Sequence, residues 1–216
     1  MIDKARFLAN AAACGVDAAH CVDALDAYAC MLVEYNEKVN LTAITDPEGI
    51  ENKHFIDSLL FASQPEVTGK LVDVGTGAGF PGVVAKLYKP ELELTLMEPT
   101  GKRVEFLRWL CGELGIEAEF AKERAEEAAR KGWREAFDVA TARGVTAMNK
   151  LSEYCLPLVR VGGKFIAMKA DAAEETAEDA KEPKKAKKNA KADALAAELE
   201  AAKAEAAKTK DLFLRT

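Results

Sequence analysis

The sequence is poor in the residue types from which metal centres, disulfide frameworks and histidine-dependent active sites are built. Among its 216 residues are two histidines and five cysteines. The cysteines form an odd set without a C-x-x-C pair, which argues against both a disulfide framework and a zinc site. Free thiols are typical of the reducing cytosol, so we expect a cytoplasmic protein without a bound metal.

Long apolar runs and an excess of positive charge are also missing. No stretch approaches the roughly 18 apolar residues of a membrane span, and the first residues do not form a basic region followed by an apolar core. We therefore expect neither export nor a membrane anchor. The formal net charge of −6 is not typical of a nucleic-acid-binding protein. Between Lys86 and Lys169, however, basic residues slightly outnumber acidic ones.

Three regions differ in pattern, and 49% hydrophobic residues suffice for one full-sized core. Residues 1–65 read as a helical extension, with Asp46 and Pro47 as a helix start. Residues 66–170 alternate strands with helices, which predicts an α/β fold with a mostly parallel, doubly wound sheet. Residues 171–216 are an atypical Ala-, Glu- and Lys-rich tail with little core potential. The predicted strands are Leu71–Val74, Leu92–Met97, Ile116–Ala121, Phe137–Ala142 and Lys164–Met168.

The most informative motif follows the first of these strands. Gly75, Gly77 and Gly79 give G-x-G-x-G, whereas the dinucleotide fingerprint G-x-G-x-x-G needs a glycine at position 80. Phe80 stands there, and its ring would suit a wall of the site better than a cradle for pyrophosphate. Since ligands of open parallel sheets bind at the carboxyl ends of strands, we expect S-adenosylmethionine here. A tight turn without a ligand is the alternative.

Residues at the ends of the next three strands extend this candidate site. Glu98 follows the glycine turn at about the 20-residue spacing of an acid that binds ribose hydroxyls, although such a residue is otherwise often solvated. Ala125 and Glu126 lie where an adenine would be held, or simply at a helix N-terminus that favours acidic residues. Arg143 could bind the carboxylate of the cofactor or a phosphate of the substrate, or be an ordinary surface arginine.

Neither histidine is placed by sequence at the strand ends, so a Ser–His or Cys–His nucleophile system is poorly supported. For His54 we expect a structural role, and no catalytic residue is assigned.

Taken together, the motifs resemble one family, the bacterial 16S ribosomal RNA (guanine-N7) methyltransferase G family, also called GidB. The glycine turn alone marks the class I S-adenosylmethionine-dependent (Rossmann-like) methyltransferase fold, and the upstream N-x-x-x-N-L-T and H-x-x-D-S-L elements make the resemblance specific. It covers about residues 1–170. The motifs that carry it are Glu34–Thr42, Lys53–Leu59, Asp73–Gly82, Gly101–Leu107, Thr141–Gly144 and Gly162–Phe165.

The resemblance implies transfer of a methyl group from S-adenosylmethionine to N7 of a guanine in the 530-loop region of 16S rRNA. The partner would be 16S rRNA or the small ribosomal subunit, and the protein a monomer. By position, Gly75, Phe80, Ala125, Glu126 and Arg143 correspond to the family's cofactor contacts. Guanine N7 carries a free lone pair, so placement against the methyl group and desolvation should supply most of the rate, and no general base is needed.

The tail departs from the resemblance, which implies a seven-stranded sheet whose last two strands follow residues 162–168. Residues 171–216 lack that pattern, which would leave the fifth strand as an unpaired edge. A second hypothesis is therefore a non-catalytic remnant that binds S-adenosylmethionine or RNA. A third, a nicotinamide oxidoreductase, is disfavoured by Phe80.

Overall fold

The computed structural model describes residues 1–144 and 148–168, in which α-helices alternate with parallel strands from residue 70 onward. Residues 145–147 and 169–216 lie outside the described residues, and the second of these ranges includes the predicted tail. Each of the first four strands is followed by a helix, as the alternating sequence pattern predicts. The α-helices are α1 (Lys4–Ala13), α2 (Val22–Asn36), α3 (Pro47–Gly49), α4 (Asp57–Ala62), α5 (Gly82–Tyr88), α6 (Gly101–Glu113), α7 (Ala125–Ala128) and α8 (Met148–Cys155).

Five strands form one parallel sheet in the order β3-β2-β1-β4-β5. Strand β1 lies at the centre, and the order reverses on its two sides, which is the doubly wound arrangement predicted from the sequence. Its carboxyl end, and those of β2 and β4 beside it, therefore border the point where ligands of such sheets bind. The strands are β1 (Lys70–Val74), β2 (Glu93–Met97), β3 (Ala118–Ala121), β4 (Phe137–Arg143) and β5 (Val159–Met168).

Helices cover both faces of the sheet. On one face, α1, α2, α4, α5 and α6 pack over a large apolar cluster that contains Tyr28, Phe55 and Leu71. On the other face, α7 and α8 pack over a smaller cluster built around Val72 and Leu151. The first cluster joins the N-terminal helices to the sheet directly. The predicted division into residues 1–65, 66–170 and 171–216 stays a prediction.

The third helical region starts as the sequence predicts and then widens. The Asp46 side chain accepts a hydrogen bond from the Gly49 backbone N–H at 2.7 Å, with Pro47 at the first helical position. From Ile50 to Ile56 the backbone forms a π-helix, which continues directly into α4. π-helical segments are rare in proteins, and those that occur are frequently found at functional sites. This one carries Lys53 and His54 to the strand ends.

Strand β5 lies at one edge of the sheet, where, among the residues that the structure describes, it pairs only with β4. Its side chains are exposed or half-buried, and Val161 is 86% exposed. The prediction of an unpaired edge depends on residues 171–216, which lie outside the described residues. No helix in that part is both long and apolar enough to cross a membrane.

Candidate functional site

The glycine turn between β1 and α5 has the backbone that only glycine adopts without strain. Gly75, Gly77 and Gly79 have φ values of +68°, +59° and +102°, in the left-handed region. A Cβ atom on Gly77 would meet only the carbonyl oxygen of Gly75, at 3.9 Å. The space in front of Gly77 is thus open to a ligand, while Gly79 faces inward, where a Cβ would strike the Tyr28 hydroxyl at 2.7 Å.

Glu98 lies directly against this turn, as its position after β2 predicts. The Gly77 N–H donates to Glu98 Oε2 at 3.1 Å, and the Thr100 N–H donates to Oε1 at 2.9 Å. Arg103 Nη1 lies 3.8 Å from Oε2, and the whole Glu98 residue is only 2% exposed. The carboxylate is therefore held in one orientation, and each oxygen retains a lone pair for a ligand hydroxyl.

A cavity of about 330 Å³ opens beside the turn and gathers the residues predicted for the adenine end. Gly75, Ala125 and Glu126 line it, together with Met97 and Pro99 after β2. Volume alone does not select this cavity, because a larger one, of about 630 Å³, lies at the opposite ends of the strands. We assign the ligand site to the 330 Å³ cavity because that cavity lies at the carboxyl ends of the strands, beside the open glycine turn.

Glu123 supplies a polar group that the sequence interpretation did not single out. It also lines the cavity, and its Oε2 atom is buried without a hydrogen-bond partner within the described structure. A buried acceptor without a donor is costly, so such an atom suits a ligand that brings an N–H group. The exocyclic amine of an adenine is such a donor. The cavity thus offers an unpaired acceptor of the kind that an adenine amine would satisfy.

Phe80 has a different environment from the predicted ligand wall. Its ring is only 4% exposed and stacks on Tyr28, with centroids 5.1 Å apart, and on His54, at 4.5 Å. The Arg143 guanidinium lies 5.0 Å from the ring centroid. The side chain thus supports Arg143 from within the protein instead of presenting a free face, because the N-terminal helices bring two aromatic rings over it.

Arg143 ends β4 and is half-buried next to the glycine turn. Its Nη1 donates to the Lys53 carbonyl at 3.0 Å, and its Nη2 donates to His54 Nδ1 at 3.2 Å. Burial lowers the pKa of the guanidinium, although the nearby Asp73 carboxylate counteracts this. A guanidinium has five N–H groups. Three therefore remain for an anion at the strand ends.

His54 is buried and bonded at both ring nitrogens, as a structural histidine would be, and its contact with Arg143 was not anticipated from the sequence. Its Nε2 lies 3.0 Å from Thr42 Oγ1, and Asn36 holds the Thr42 segment by accepting from the Thr42 and Leu41 N–H groups and donating to the Thr42 carbonyl. The two upstream motifs therefore meet at Arg143. The sequence showed only that the two motifs exist. No local pattern predicts a contact between His54 and Arg143, which are 89 positions apart.

Asp73 lies beneath the turn and is completely buried. Its Oδ2 accepts from Thr76 Oγ1 at 2.6 Å and from the Gly82 N–H at 2.8 Å, whereas Oδ1 has no partner within the described structure. Burial raises the pKa of the carboxyl to about 6, against the lowering effect of these two hydrogen bonds. Asp73 thus closes the turn onto α5 from below.

The predicted site residues form two neighbouring groups at the carboxyl edge of the sheet. Gly75, Gly77, Glu98, Ala125 and Glu126 surround the turn and its cavity, while Arg143, with Phe80 under it, lies toward β4. No group of three or more His, Cys, Asp and Glu residues suited to a metal ion occurs among the described residues.

Positive side chains are frequent at this same edge. They follow β2, β3 and β4 in the chain or contact residues that do, and they lie beside Glu98, Glu123 and Glu126. The opposite edge carries four glutamates, Glu91, Glu93, Glu117 and Glu119, beside Lys70 and Lys86. An uneven distribution of this kind attracts polyanions despite a negative net charge. The cations are Lys53, Lys102, Arg103, Lys122, Arg124, Arg143 and Lys150.

Comparison with known proteins gives a family match over most of the chain. The sequence model of the family GidB, rRNA small subunit methyltransferase G, matches residues 22–204. Two curated relatives carry the name ribosomal RNA small subunit methyltransferase G. The one from Moorella thermoacetica is 48% identical over 69% of this chain and 64% of its own length, and the one from Exiguobacterium sibiricum is 51% identical over 65% and 60%.

The chain thus spans less than two thirds of the length of these relatives. Among solved structures, the PH0226 protein from Pyrococcus horikoshii is similar, with a TM-score of 0.51 and 18% identity over 70% of this chain and 72% of that one. At this identity the likeness shows the fold alone, and it agrees with the parallel doubly wound sheet.

Proposed function

Because this chain belongs to the rRNA small subunit methyltransferase G family, we propose that it transfers a methyl group from S-adenosylmethionine to N7 of a guanine in the 530-loop region of 16S rRNA. The observation that carries the cofactor assignment is the contact between the Gly77 N–H and the buried Glu98 carboxylate at the edge of the cavity. It fixes an acceptor for ribose hydroxyls next to an open glycine turn.

Different residues of the site would bind different parts of the proposed cofactor. Glu98 would accept from the ribose hydroxyls, and the cavity beside Gly75, Ala125 and Glu126 would take the adenine, with Glu123 Oε2 as an acceptor for its amine. Arg143 would bind the carboxylate of the methionine part, since a guanidinium pairs with carboxylates in a bidentate fashion. Gly77 would let the backbone approach without a side chain in between.

The bound cofactor would supply an electrophilic methyl group on a sulfonium centre. The chain itself then has a modest chemical task, because guanine N7 presents a free lone pair and loses no proton on attack. We infer that the site acts by holding the two reactants in line and by excluding water. Consistent with this, His54 is bonded on both ring nitrogens and Asp73 is buried beneath the turn, so neither is offered as a general base.

The partner that fits the cations at the carboxyl edge is small-subunit RNA, alone or in the assembled subunit. Phosphate contacts from Lys and Arg side chains supply much of the affinity of such complexes. We further propose that the protein acts as a monomer.

A substitution at Gly77 tests the cofactor site. Asp adopts a positive φ more often than most residues, at a modest cost in strain, and a Cβ at position 77 meets no close atom, so Gly77→Asp should still fold. Its carboxylate would fill the open space and repel Glu98, so we expect at least a tenfold loss of affinity for S-adenosylmethionine in titration calorimetry. Gly115→Asp, at φ +65° with no atom within 4 Å of its Cβ and away from the cavity, is the matched control and should bind as the parent does. Equal affinity of Gly77→Asp and the parent would refute the assignment.

Methyl incorporation separates this function from the remnant hypothesis, which the Ala-, Glu- and Lys-rich composition of residues 171–216 motivates. Labelled S-adenosylmethionine and unmodified small ribosomal subunits should yield labelled 16S rRNA, with the label at N7 of a guanine. Binding of the cofactor without incorporation into RNA or subunits would instead support a non-catalytic binding protein.

A further inference from the structure

We propose that His54 is a positioning residue: its imidazole, fixed by Thr42, orients the Arg143 guanidinium toward the carboxylate of the cofactor. The inference rests on the proposed function and deepens it, because it assigns a role at the cofactor site to a residue of the N-terminal helical region. Four contacts on different elements carry it, and each constrains either the ring or the guanidinium.

The hydrogen bonds define a single tautomer of His54. An arginine side chain only donates, so the 3.2 Å contact with Arg143 Nη2 requires an unprotonated Nδ1. The ring proton therefore lies on Nε2, which donates to Thr42 Oγ1 at 3.0 Å. Burial and the neighbouring Arg143 lower the pKa of His54 to about 4, so the ring is neutral at neutral pH and remains an acceptor.

The ring is also fixed in its plane. It stacks on Phe80 with centroids 4.5 Å apart and an angle of 18°, and His54 is only 7% exposed. Phe80 is in turn stacked on Tyr28. An imidazole that is packed on one ring and bonded at both nitrogens has little freedom, so it offers Nδ1 in a constant direction.

The same π-helical segment holds the guanidinium at a second point. The carbonyl of Lys53 accepts from Arg143 Nη1 at 3.0 Å, next to the His54 contact on Nη2. Two neighbouring residues thus bind two different nitrogens, which fixes the plane of the guanidinium. Its remaining N–H groups then have a defined direction at the end of β4. Without His54, the side chain would pivot about the Lys53 contact.

A pair of ligands tests this role. S-adenosylhomocysteine carries the amino-acid carboxylate, whereas 5′-methylthioadenosine lacks it, and both would occupy the adenosine cavity. In His54→Phe, which keeps a ring on Phe80 but loses both hydrogen bonds, we expect affinity for S-adenosylhomocysteine to fall about tenfold. Affinity for 5′-methylthioadenosine should stay within about twofold of the parent. Titration calorimetry measures both.

Three further variants exclude a merely structural effect. His54→Asn places an amide oxygen near the position of Nδ1 and should recover part of the missing affinity. In an Arg143→Met background, His54→Phe should have little further effect, since residues that act through one another are not additive. His20→Phe, at the only other histidine, should change neither affinity.

The outcomes are distinct. An equal loss for both ligands would overturn the proposal, because His54 would then support the whole site. An unchanged affinity for S-adenosylhomocysteine would overturn it too, and a simultaneous loss of RNA binding would assign Arg143 to a substrate phosphate instead. If the parent protein binds neither ligand, the proposed function fails, whatever the variants do.

Discussion

At the scale of single residues, the glycine turn depends on local backbone requirements, whereas Phe80 and His54 depend on packing between segments that are distant in sequence. Positive φ at Gly75, Gly77 and Gly79 follows from a tight turn at a strand end, and the spacing to Glu98 follows from one strand–helix–strand unit. The surroundings of Phe80 and His54 were not predictable, because both depend on how the N-terminal helices dock. The structure places the Phe80 ring under Arg143 and against Tyr28 and His54, and its contact with the cofactor stays a prediction.

Asp73 allows a test of the turn through its protonation. Its pKa is raised to about 6 by burial, so the folded state binds the proton more tightly than the unfolded state does. Stability is then lost as the pH rises from about 4 to about 6. Asp73→Asn removes this loss because the amide does not titrate. We therefore expect the free energy of unfolding of the variant, minus that of the parent, to be larger at pH 8 than at pH 4 by on the order of 2 kcal/mol.

Urea denaturation of parent and variant at both pH values measures this difference. Asp138→Asn is the control of opposite sign, because hydrogen bonds from the Lys70 N–H and Arg160 lower the pKa of Asp138. Its carboxylate stabilises the fold above its unfolded pKa, and Asp138→Asn should lose stability at pH 8. A pH-independent effect of Asp73→Asn would contradict the raised pKa.

At the scale of elements, periodicity located all five strands but not all of their ends. Strand β5 was predicted from Lys164 and starts at Val159, since a register shift opposite Phe137 and Val139 lets the chain pass Gly162 and Gly163 without leaving the sheet. Strand β3 is shorter than predicted and starts at Ala118. The π-helical turn has no sequence signature of its own, because it depends on contacts made elsewhere.

The start of α3 was predicted from sequence, and its energetic weight is testable. Asp46 caps the Gly49 N–H, and Asp46→Ala leaves that group to water, so we expect a loss of about 1 kcal/mol in the free energy of unfolding. Thermal or urea denaturation measures it. Glu48→Ala, exposed in the same turn, is the control and should change the stability less. An equal loss of stability in Glu48→Ala would show that negative charge in the first turn, and not the cap itself, accounts for the effect.

At the scale of the whole molecule, the composition predicts an acidic protein but does not show how its charges are distributed over the surface. The cations at the carboxyl edge become a group only when parallel strands bring distant chain positions together, so no local count could find them. The family resemblance predicted an RNA substrate that the net charge of −6 argued against. The cations at the carboxyl edge favour RNA binding, which stays a proposal.

This distribution of charges predicts a salt dependence for binding to small-subunit RNA. Replacing Lys102 and Lys122 with alanine should weaken binding and reduce the slope of log affinity against log salt concentration by about one for each phosphate that is no longer neutralised. Filter binding between 50 and 200 mM salt, a range of about fourfold, measures the slope. Lys70→Ala, at the opposite edge, should leave the slope unchanged. The prediction fails if the Lys70 variant alters the slope as much.

The bond from the Tyr28 hydroxyl to the Ala78 carbonyl, at 2.5 Å, ties α2 to the glycine turn across 50 positions of chain. The opening of α2 therefore breaks a hydrogen bond that holds the turn in shape. Any ligand that binds only the ordered turn must raise the free energy of that opening, by mass action. Backbone amides of α2 then become a remote gauge of occupancy: their hydrogen exchange should slow when the site fills, although no residue of α2 touches the cavity.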